Sequence, residues 1–512
     1  MDIRHLAYMS KPTINIIWFK RDLRLQDHAA LAQAVADGIP CLLWYCFEPS
    51  LMVAPETDLR HLRFVYESLQ DLQQQLQAYQ KKIYWVHSEV VPSLENLSEH
   101  YLIKHLYSHA ETGIKQTFDR DKAVKKWCLE YGIQYREFPH DGVIRGRKHR
   151  RGWVDQLEKS YFKAPLAQLD LSRLDTLELP EKLLKEWAYP PLPVAIQTPQ
   201  EGFQPGGETT AWRYLHSFFQ ERGKNYSLQL SKPAASRISC SRLSPYLAYG
   251  CISSRSVMQL LRGDLPKKAG TWNLKNFRSR LWWRSHFIQK LESNWRIEFE
   301  PINPVFNQLE RLTEGPFLEN WKSGQTGFPM IDASMRCLQA NGWVNFRMRA
   351  MLVSFASFAL WLDWRPVAVH LARLFLDFDP GIHYPQIQMQ AGLTGYHTLR
   401  IYNPATQVTK HDPEGVFIKK WIPELQHVPA SHLAEPWKMT PMEQSFYHCK
   451  IGQDYPAPLV DFESVITINK DRYWQLRQSA AAKQALPKLL EQFCVPKDIV
   501  KYQQETNTYV QE

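Results

Sequence analysis

Short strand-like runs alternate with longer amphipathic stretches through the first 145 residues. The runs are "INIIWFK", "CLLWYCF", "KIYWVHS", "IKHLYSH" and "IQYREF". Their length and residue types predict β-strands. Residues 57–81 repeat apolar positions at helical spacing, and "DHAALAQAVADG" reads as a helix that an aspartate opens and a glycine closes. This alternation predicts a doubly wound, largely parallel sheet, with ligands at the carboxyl ends of its strands.

The pattern changes after residue 145. The stretch "YPPLPVAIQTP" is rich in proline and predicts an extended surface linker. From "GGETTAWRYLHSFFQERG" onward the spacing is helical, as in "NLKNFRSRLWWRSHFIQKLESN" and "FRMRAMLVSFASFALWL". We therefore predict an α/β domain over residues 13–145, a linker over 146–200 and an all-helical domain over 201–500.

Composition excludes several classes of protein. No apolar run is long enough to predict a membrane span, and the first residues lack the pattern of a secretory signal. The eight cysteines form no CxxC pair, so we expect no metal site or disulfide framework, and a cytoplasmic setting. Neither GxGxxG nor GxxxxGK[ST] occurs, which argues against a standard nucleotide loop. The net charge of +10 fits an ordinary solvated surface or, if gathered on one face, a phosphate backbone.

The helical half contains a serine-rich segment, "SCSRLSPYLAYG", with Ser239, Ser241 and Ser244 around Arg242. Hydroxyls, backbone amides and a guanidinium at the start of a helix form a natural phosphate cradle. Ordinary helix capping by serine is the simpler alternative.

A second segment is "RLWWRSHF". On a helix Arg280, Trp283 and Arg284 share a face, so two cations beside an indole could hold phosphate and stack a base. The alternative is a buried tryptophan with arginines that extend to the surface.

Charged residues also interrupt strongly apolar sequence in two places. Arg347 and Arg349 lie in "NGWVNFRMRAM", and Asp377 and Asp379 lie in "FLDFDPGIHYPQIQMQ". Buried ions need partners, so Asp377 is the natural acceptor for one of these arginines.

The segments "WKSGQTGFPMIDASMR", "NGWVNFRMR", "SRLSPYLAYG" and "IYNPATQVTKHDPEGVFIKKWIPEL" resemble the FAD-binding domain of the DNA photolyase/cryptochrome family, and "INIIWFKRDLRLQDHAAL" resembles that family's opening. The resemblance covers nearly the whole chain. It implies an α/β domain that often holds an antenna chromophore, here of unknown identity, joined to a helical domain that holds FAD. It also implies DNA as substrate, no obligate protein partner and a monomer.

The resemblance implies roles for individual residues. Arg349 and Asp377 would pair beside the isoalloxazine, and Asp379 would accept from the flavin ring edge or the adenine end. Groups that would bind the cofactor are Tyr226, Ser241, Arg242, Leu243, Ser244, Arg284, Arg349, Asp377, Asp379 and His383. Groups that would face the lesion or DNA are Trp283, Arg280, Met389 and Arg347. The catalytic set would be Trp283, His383, Met389 and Arg280, with Trp364 in electron transfer.

Several positions depart from the family pattern. His383 replaces an asparagine beside flavin N5, where it could change hydrogen bonding to N5 or merely fill space. Two tryptophans of the usual electron-transfer triad align with Ile387 and a site near Arg311, so Trp361 or Tyr384 could offer another path, as could reduction from solution.

The lesion side departs as well. Arg280 replaces a glutamate and Met389 a stacking tryptophan; Arg280 could stabilise a dimer radical anion or mark a lost lesion pocket. Phe346 and Ala350 replace the histidine pair of (6-4) photolyases, which disfavours (6-4) repair. We expect electron transfer from excited reduced FAD to split cyclobutane pyrimidine dimers in single- or double-stranded DNA, with a cryptochrome-like photoreceptor as the alternative.

Overall fold

The computed structural model describes residues 11–163, 169–187, 190–262 and 268–500. Five strands form one sheet in the order β3-β2-β1-β4-β5, and every neighbouring pair is parallel. The strands are β1 Thr13–Phe19, β2 Cys41–Phe47, β3 Ile83–His87, β4 Leu102–His109 and β5 Gln134–Phe138. The doubly wound sheet predicted from the sequence is confirmed.

Helices cover both faces of this sheet. They span Ala29–Asp37, Pro49–Met52, Leu59–Gln77, Val90–His100 and Lys115–Glu130. The first helix ends at Gly38 in the left-handed conformation, as expected. Its predicted opening by Asp27 is wrong, because His28 caps the helix by accepting from the Leu31 amide. Asp27 itself has φ +53° and its carboxylate binds Ser253 and Arg255 of the helical half.

The predicted linker contains more structure than its prolines suggest. Helices span Trp153–Phe162, Glu181–Trp187 and Val194–Gln197, so the expectation of an extended chain fails where the last of these forms. Leu179, Leu183 and Trp187 are buried in the same apolar cluster as one face of the sheet. The segment therefore packs on the α/β domain rather than lying free over it.

From residue 201 onward the described chain is helical. Its α-helices span Glu208–Gln220, Tyr226–Gln229, Pro233–Ser239, Ser244–Ala248, Ser254–Arg262, Thr271–Ser293, Pro316–Ser323, Pro329–Asn341, Phe346–Ser354, Trp364–Leu374, Pro380–Gln390, Pro404–His411, Val416–Trp421, Pro441–Phe446, Phe462–Arg477 and Ala480–Phe493. The run predicted as one helix from Phe346 ends at Ser354 and continues as a π-helical turn, Phe355–Ala359. Among the described residues, no helix combines the length and apolarity needed to cross a membrane.

Apolar packing joins the two halves of the chain. One cluster holds Ile17 and Phe19 of β1 together with Tyr246, Leu247 and Leu281 of the helical half. The carboxyl end of β1 therefore faces the helices that carry the charged segments singled out in the sequence.

Candidate functional site

A bidentate ion pair forms between Arg349 and Asp377, as the family resemblance implies. Arg349 Nη1 and Nη2 donate to the two oxygens of Asp377 at 2.9 and 3.0 Å, and Arg349 Nε donates to the Val344 carbonyl at 2.8 Å. The Asp377 side chain is only 5% exposed. Burial by itself would raise the pKa of Asp377, but the guanidinium outweighs it and holds the pKa below 3.8.

The serine-rich segment meets this pair. Ser244 is a close neighbour of Asp377 and helps to lower the pKa of its carboxyl, and the charge of Asp377 also acts on Arg242. Helix capping by the serines, the simpler alternative, is not observed: the cap of Ser244–Ala248 is Leu243, with no side-chain bond. Leu243 is buried and its amide lies 3.4 Å from Ser241 Oγ.

Arginines around this segment lack acid partners. Arg242 is buried with φ +59°, contacts Gln204 at 2.5 Å and lies 4.1 Å above the Trp343 ring. Arg222 and Arg237 donate to carbonyls and to Asn341. In the described part of the chain none of the three has a carboxylate within 4.0 Å. Burial lowers the pKa of Arg242 to about 10.

A phosphate-bearing ligand fits this cluster. The Nε of Arg242 is buried without a hydrogen-bond partner, and an unpaired buried guanidinium is costly. A phosphate would supply the missing negative charge and acceptor oxygens. Tyr226 is also buried, and burial raises the pKa of its phenol against the opposing effect of nearby Arg280.

Arg284 and Asp379 have partners that differ from the expected ones. Arg284 Nη2 donates to Asp379 Oδ2 at 2.9 Å, and Nη1 lies 2.7 Å from Asp141 Oδ2 in the α/β half. The sequence placed Arg284 at a phosphate and Asp379 at the flavin; the structure commits the guanidinium to two buried carboxylates. Burial raises the pKa of Asp379, whereas the charge of Arg284 overcomes burial at Asp141 and lowers its pKa.

His383 lies beside the ion pair in the helix Pro380–Gln390. Its Nε2 is 2.8 Å from the Ala368 carbonyl. A carbonyl only accepts, so Nε2 carries a proton. Burial lowers the pKa of His383 to about 4, which keeps the ring neutral near pH 7. Its Nδ1 is therefore a bare acceptor, whereas the asparagine amide of the family pattern can also donate.

The residues expected to face DNA form the more open side of the site. Trp283 is 44% exposed and Phe346 is 51% exposed, while Arg280 is exposed and Met389 half-buried. Arg347 lies over the Tyr402 ring at 5.5 Å. The alternative of a buried tryptophan with outward arginines is wrong for Trp283, which is exposed, and for Arg284, which is buried, but it holds for the exposed Arg280.

The two tryptophans considered for electron transfer, Trp364 and Trp361, each lie beside an arginine, which the sequence did not predict. Trp364 is 1% exposed, and the Arg365 guanidinium lies 5.1 Å above its ring. Arg311 lies 4.8 Å above the Trp361 ring. Ile387 is buried, as is Ala350 near the lesion side.

A cavity of about 120 Å³ lies where the α/β domain meets the helices. Its walls come from the carboxyl ends of β1 and β2 and from the neighbouring helices, and include Trp18, Lys20, Tyr45, Glu48, Arg120 and Phe378. Sequence analysis predicted a site at this edge but no lining residues. The signal was present in the charges that directly follow two strands, "FKR" and "CFE".

Sequence analysis also missed a buried cluster of Asp22, His28 and His109. Their ligand atoms lie within 4.8 Å of one another, close enough to suggest a cation site. His28 Nδ1 accepts from the Leu31 amide, so its Nε2 carries the proton and faces Asp22 at 3.2 Å; His109 Nδ1 donates to Asp22 at 2.7 Å. The hydrogen bond from His109 and the close contact of His28 with Asp22 therefore account for the arrangement.

Comparisons with known proteins identify the family and the fold. Residues 277–475 match the FAD binding domain of DNA photolyase, and residues 15–152 match the DNA photolyase family. The chain is 26% identical over 477 residues to deoxyribodipyrimidine photo-lyase of Alkalihalophilus pseudofirmus, covering 88% of this chain and 95% of that protein. It is 25% identical over 480 residues to cryptochrome DASH of Synechocystis, covering 89% and 96%. A solved Synechocystis cryptochrome structure shares the fold, with TM-score 0.80, 24% identity and coverage of 90% and 99%.

Proposed function

The chain belongs to the DNA photolyase/cryptochrome family, and from this premise we propose that it is a light-dependent DNA repair enzyme that splits cyclobutane pyrimidine dimers with FAD. The observation that carries the proposal is the half-exposed Trp283, one residue before the buried arginine that holds Asp379. An exposed indole offers a stacking face to a base, and Asp379, which the neighbouring Arg284 binds, would lie near the flavin.

FAD would be held by the groups around Asp377. Arg242, Ser241 and Ser244 would bind its phosphates, because Arg242 has no carboxylate within 4.0 Å among the described residues and the two serines add hydroxyls beside it. The Arg349–Asp377 pair would set the charge beside the isoalloxazine, and His383 would offer Nδ1 as an acceptor toward an N–H donor on that ring. Arg284 would not contact FAD itself but would hold Asp379 in position.

When bound and reduced, FAD supplies the electron that light releases toward the dimer. The residues of the chain do the rest. Trp283 and Met389 would stack on the pyrimidines of a flipped lesion, which leaves the duplex more easily than an undamaged base. Arg347 would hold a DNA phosphate, and exposed Arg280 would stabilise negative charge on the lesion.

The cavity beside β1 and β2 would hold an antenna chromophore. Trp18, Tyr45 and Phe378 offer ring contacts, and the charges of Lys20 and Arg120 lie along its walls. Arg120 forms ion pairs with Glu48, Glu111 and Asp121. These acids neutralise its positive charge, so this wall of the cavity is poorly suited to bind a phosphate. The visible absorption spectrum of the purified protein tests this, because an antenna adds a band beside that of the flavin.

A flavin photoreceptor without repair activity is the second candidate. Arg280 favours it, because it places a cation where the family pattern has a glutamate, and the named relatives include both photolyases and cryptochromes. Both functions need FAD, so flavin content alone does not separate them.

The discriminating experiment uses chemically reduced holoprotein and an oligonucleotide with a single thymine dimer. Dimer splitting in blue light, with none in the dark, is expected of the repair enzyme. Intact flavin with background DNA binding and no splitting in the light would refute the repair proposal and favour the receptor.

A further inference from the structure

A buried hydrogen bond joins the two halves of the chain beside His383. Tyr384 is 2% exposed, and its hydroxyl donates to Glu56 Oε1 at 2.6 Å. Glu56 is 7% exposed and lies between the helices Pro49–Met52 and Leu59–Gln77 of the α/β domain. The ring of Tyr384 meets that of His383 edge to face, with centroids 5.4 Å apart.

We propose that Tyr384 is an electron donor for photoreduction of oxidised FAD and that Glu56 takes its proton. This inference rests on the proposed function for the presence of FAD. Tyr384 would be an electron donor that does not belong to the family's tryptophan triad. In this chain Ile387 replaces one tryptophan of that triad.

The step is balanced within this pair. Tyr384 gives one electron to light-excited oxidised FAD, its O–H bond breaks and an O–H bond forms on Glu56. A neutral phenoxyl radical and a protonated carboxyl remain, and FAD is reduced by one electron. A thiolate from solution then returns an electron to Tyr384 and becomes a thiyl radical, while Glu56 returns the proton.

Electrostatics favour Tyr384 over the nearby tryptophans. Oxidation of an indole leaves a cation radical, which a neighbouring positive charge disfavours. Arg311 and Arg472 lie 4.8 and 5.7 Å above the Trp361 ring, and Arg365 lies 5.1 Å above Trp364.

Proton acceptors favour Tyr384 as well. Trp361 Nε1 donates to the Glu310 carbonyl, a poor base, and Trp364 Nε1 is buried without a partner. Tyr384 alone of these three rings donates to a carboxylate.

The carboxylate of Glu56 is free to act as a base. In the described ranges no Lys, Arg or His nitrogen lies within 4.0 Å of it. The other acid nearby is Glu298, 9% exposed, which accepts from the Lys115 amide. Burial raises the pKa of Glu298 to about 7, and the charge of Glu56 contributes. The burial of Tyr384 and the charges of Glu56 and Glu298 raise the pKa of the phenol, so Tyr384 keeps its proton until it is oxidised.

The simpler role for this bond is a clamp between domains, and Glu56→Gln separates the two. Glutamine has the same size and keeps a carbonyl oxygen that accepts from Tyr384, but it is not a base. FAD content and melting temperature should therefore stay at wild-type values if the variant keeps the clamp.

The test illuminates oxidised, FAD-loaded protein with excess dithiothreitol in the absence of oxygen and follows flavin bleaching. We expect Glu56→Gln and Tyr384→Phe each to slow bleaching about tenfold or more, and Trp361→Phe to bleach at the wild-type rate. A radical trapped at low temperature should change its electron paramagnetic resonance spectrum when tyrosine is ring-deuterated. Unchanged bleaching in Glu56→Gln, or a trapped radical insensitive to tyrosine deuteration, would overturn the proposal.

Failure here is separable from failure of the proposed function. Reduction of the flavin with dithionite does not use Tyr384, so dimer repair by dithionite-reduced wild-type protein tests the function alone. If the reduced protein repairs dimers but flavin bleaching does not depend on Tyr384, only the role of Tyr384 is refuted. If flavin bleaching depends on Tyr384 but the reduced protein does not repair dimers, the role of Tyr384 stands and the proposed repair function is refuted.

Discussion

Replacing Arg284 by methionine should destabilise the protein strongly, and in a way that depends on pH. Arg284 bridges Asp379 at 2.9 Å and Asp141 at 2.7 Å, and all three side chains are under 10% exposed. Removal of the guanidinium leaves two buried carboxylates without their cation.

The size of the loss follows from what each carboxylate can do. At pH 7 a carboxyl of ordinary pKa near 3.9 can take up a proton at a cost of about 4 kcal/mol. That cost limits the loss at each site, and breaking one buried pair by removing a partner costs ~3–5 kcal/mol. With two carboxylates we expect the free energy of unfolding to fall by about 4–8 kcal/mol at pH 7.

The pH dependence has a definite sign. In the variant both folded-state pKa values lie above the unfolded ones, so the part of the loss that comes from protonating the buried carboxylates is absent below about pH 4 and grows as pH rises toward the folded pKa. Moving from pH 7 to pH 5 should recover roughly 2.7 kcal/mol for each carboxylate that was charged when unfolded.

Urea unfolding at pH 5 to 8 measures this, followed by both circular dichroism and tryptophan fluorescence; coincident curves justify a single free energy. The matched control is Arg284→Met with Asp141→Asn and Asp379→Asn. Asparagine tolerates the left-handed backbone of Asp141 (φ +54°) and can cap the helix that Asp379 begins. This neutral triple variant should lie within ~2 kcal/mol of wild type. A loss below about 1 kcal/mol in Arg284→Met, or the same loss at pH 5 and pH 8, would refute the reasoning.

Three further outcomes follow. Asp377→Asn leaves the half-buried Arg349 guanidinium without its carboxylate and should weaken FAD retention about tenfold or more, measured by flavin absorbance after gel filtration. The control Asp363→Asn keeps a helix cap at a more exposed pair, and equal flavin loss in both variants would contradict the assignment of Asp377 to the FAD site. Trp283→Phe should weaken binding of dimer-containing DNA by ~1–3 kcal/mol with flavin content unchanged, whereas Trp272→Phe, 57% exposed on the same helix, should not; equal effects would argue against stacking on Trp283. Because the folded-state pKa of Asp377 lies below 3.8, its contribution to stability is present above that pH and is lost as pH falls through the folded value; release of flavin near pH 6 in a titration would show that another group controls it.

The sequence by itself determined the order of elements and one ion pair. Apolar periodicity located all five strands, since a buried parallel sheet requires continuous apolar runs. It also predicted that Asp377 pairs with either Arg347 or Arg349, because opposite charges in otherwise apolar sequence have few other ways to be satisfied, and the family resemblance implied Arg349.

The tertiary structure alone decided which of several eligible partners each charge meets. Arg284 could have met a phosphate on sequence grounds, but packing of the α/β domain brings Asp141 to it across 143 positions of the chain. Tyr384 and Glu56 are 328 positions apart, and nothing in either local sequence marks them as a pair. Local sequence sets residue type and periodicity. Contact between distant polar groups depends on how the two domains pack, and many residues far from the site contribute to that packing.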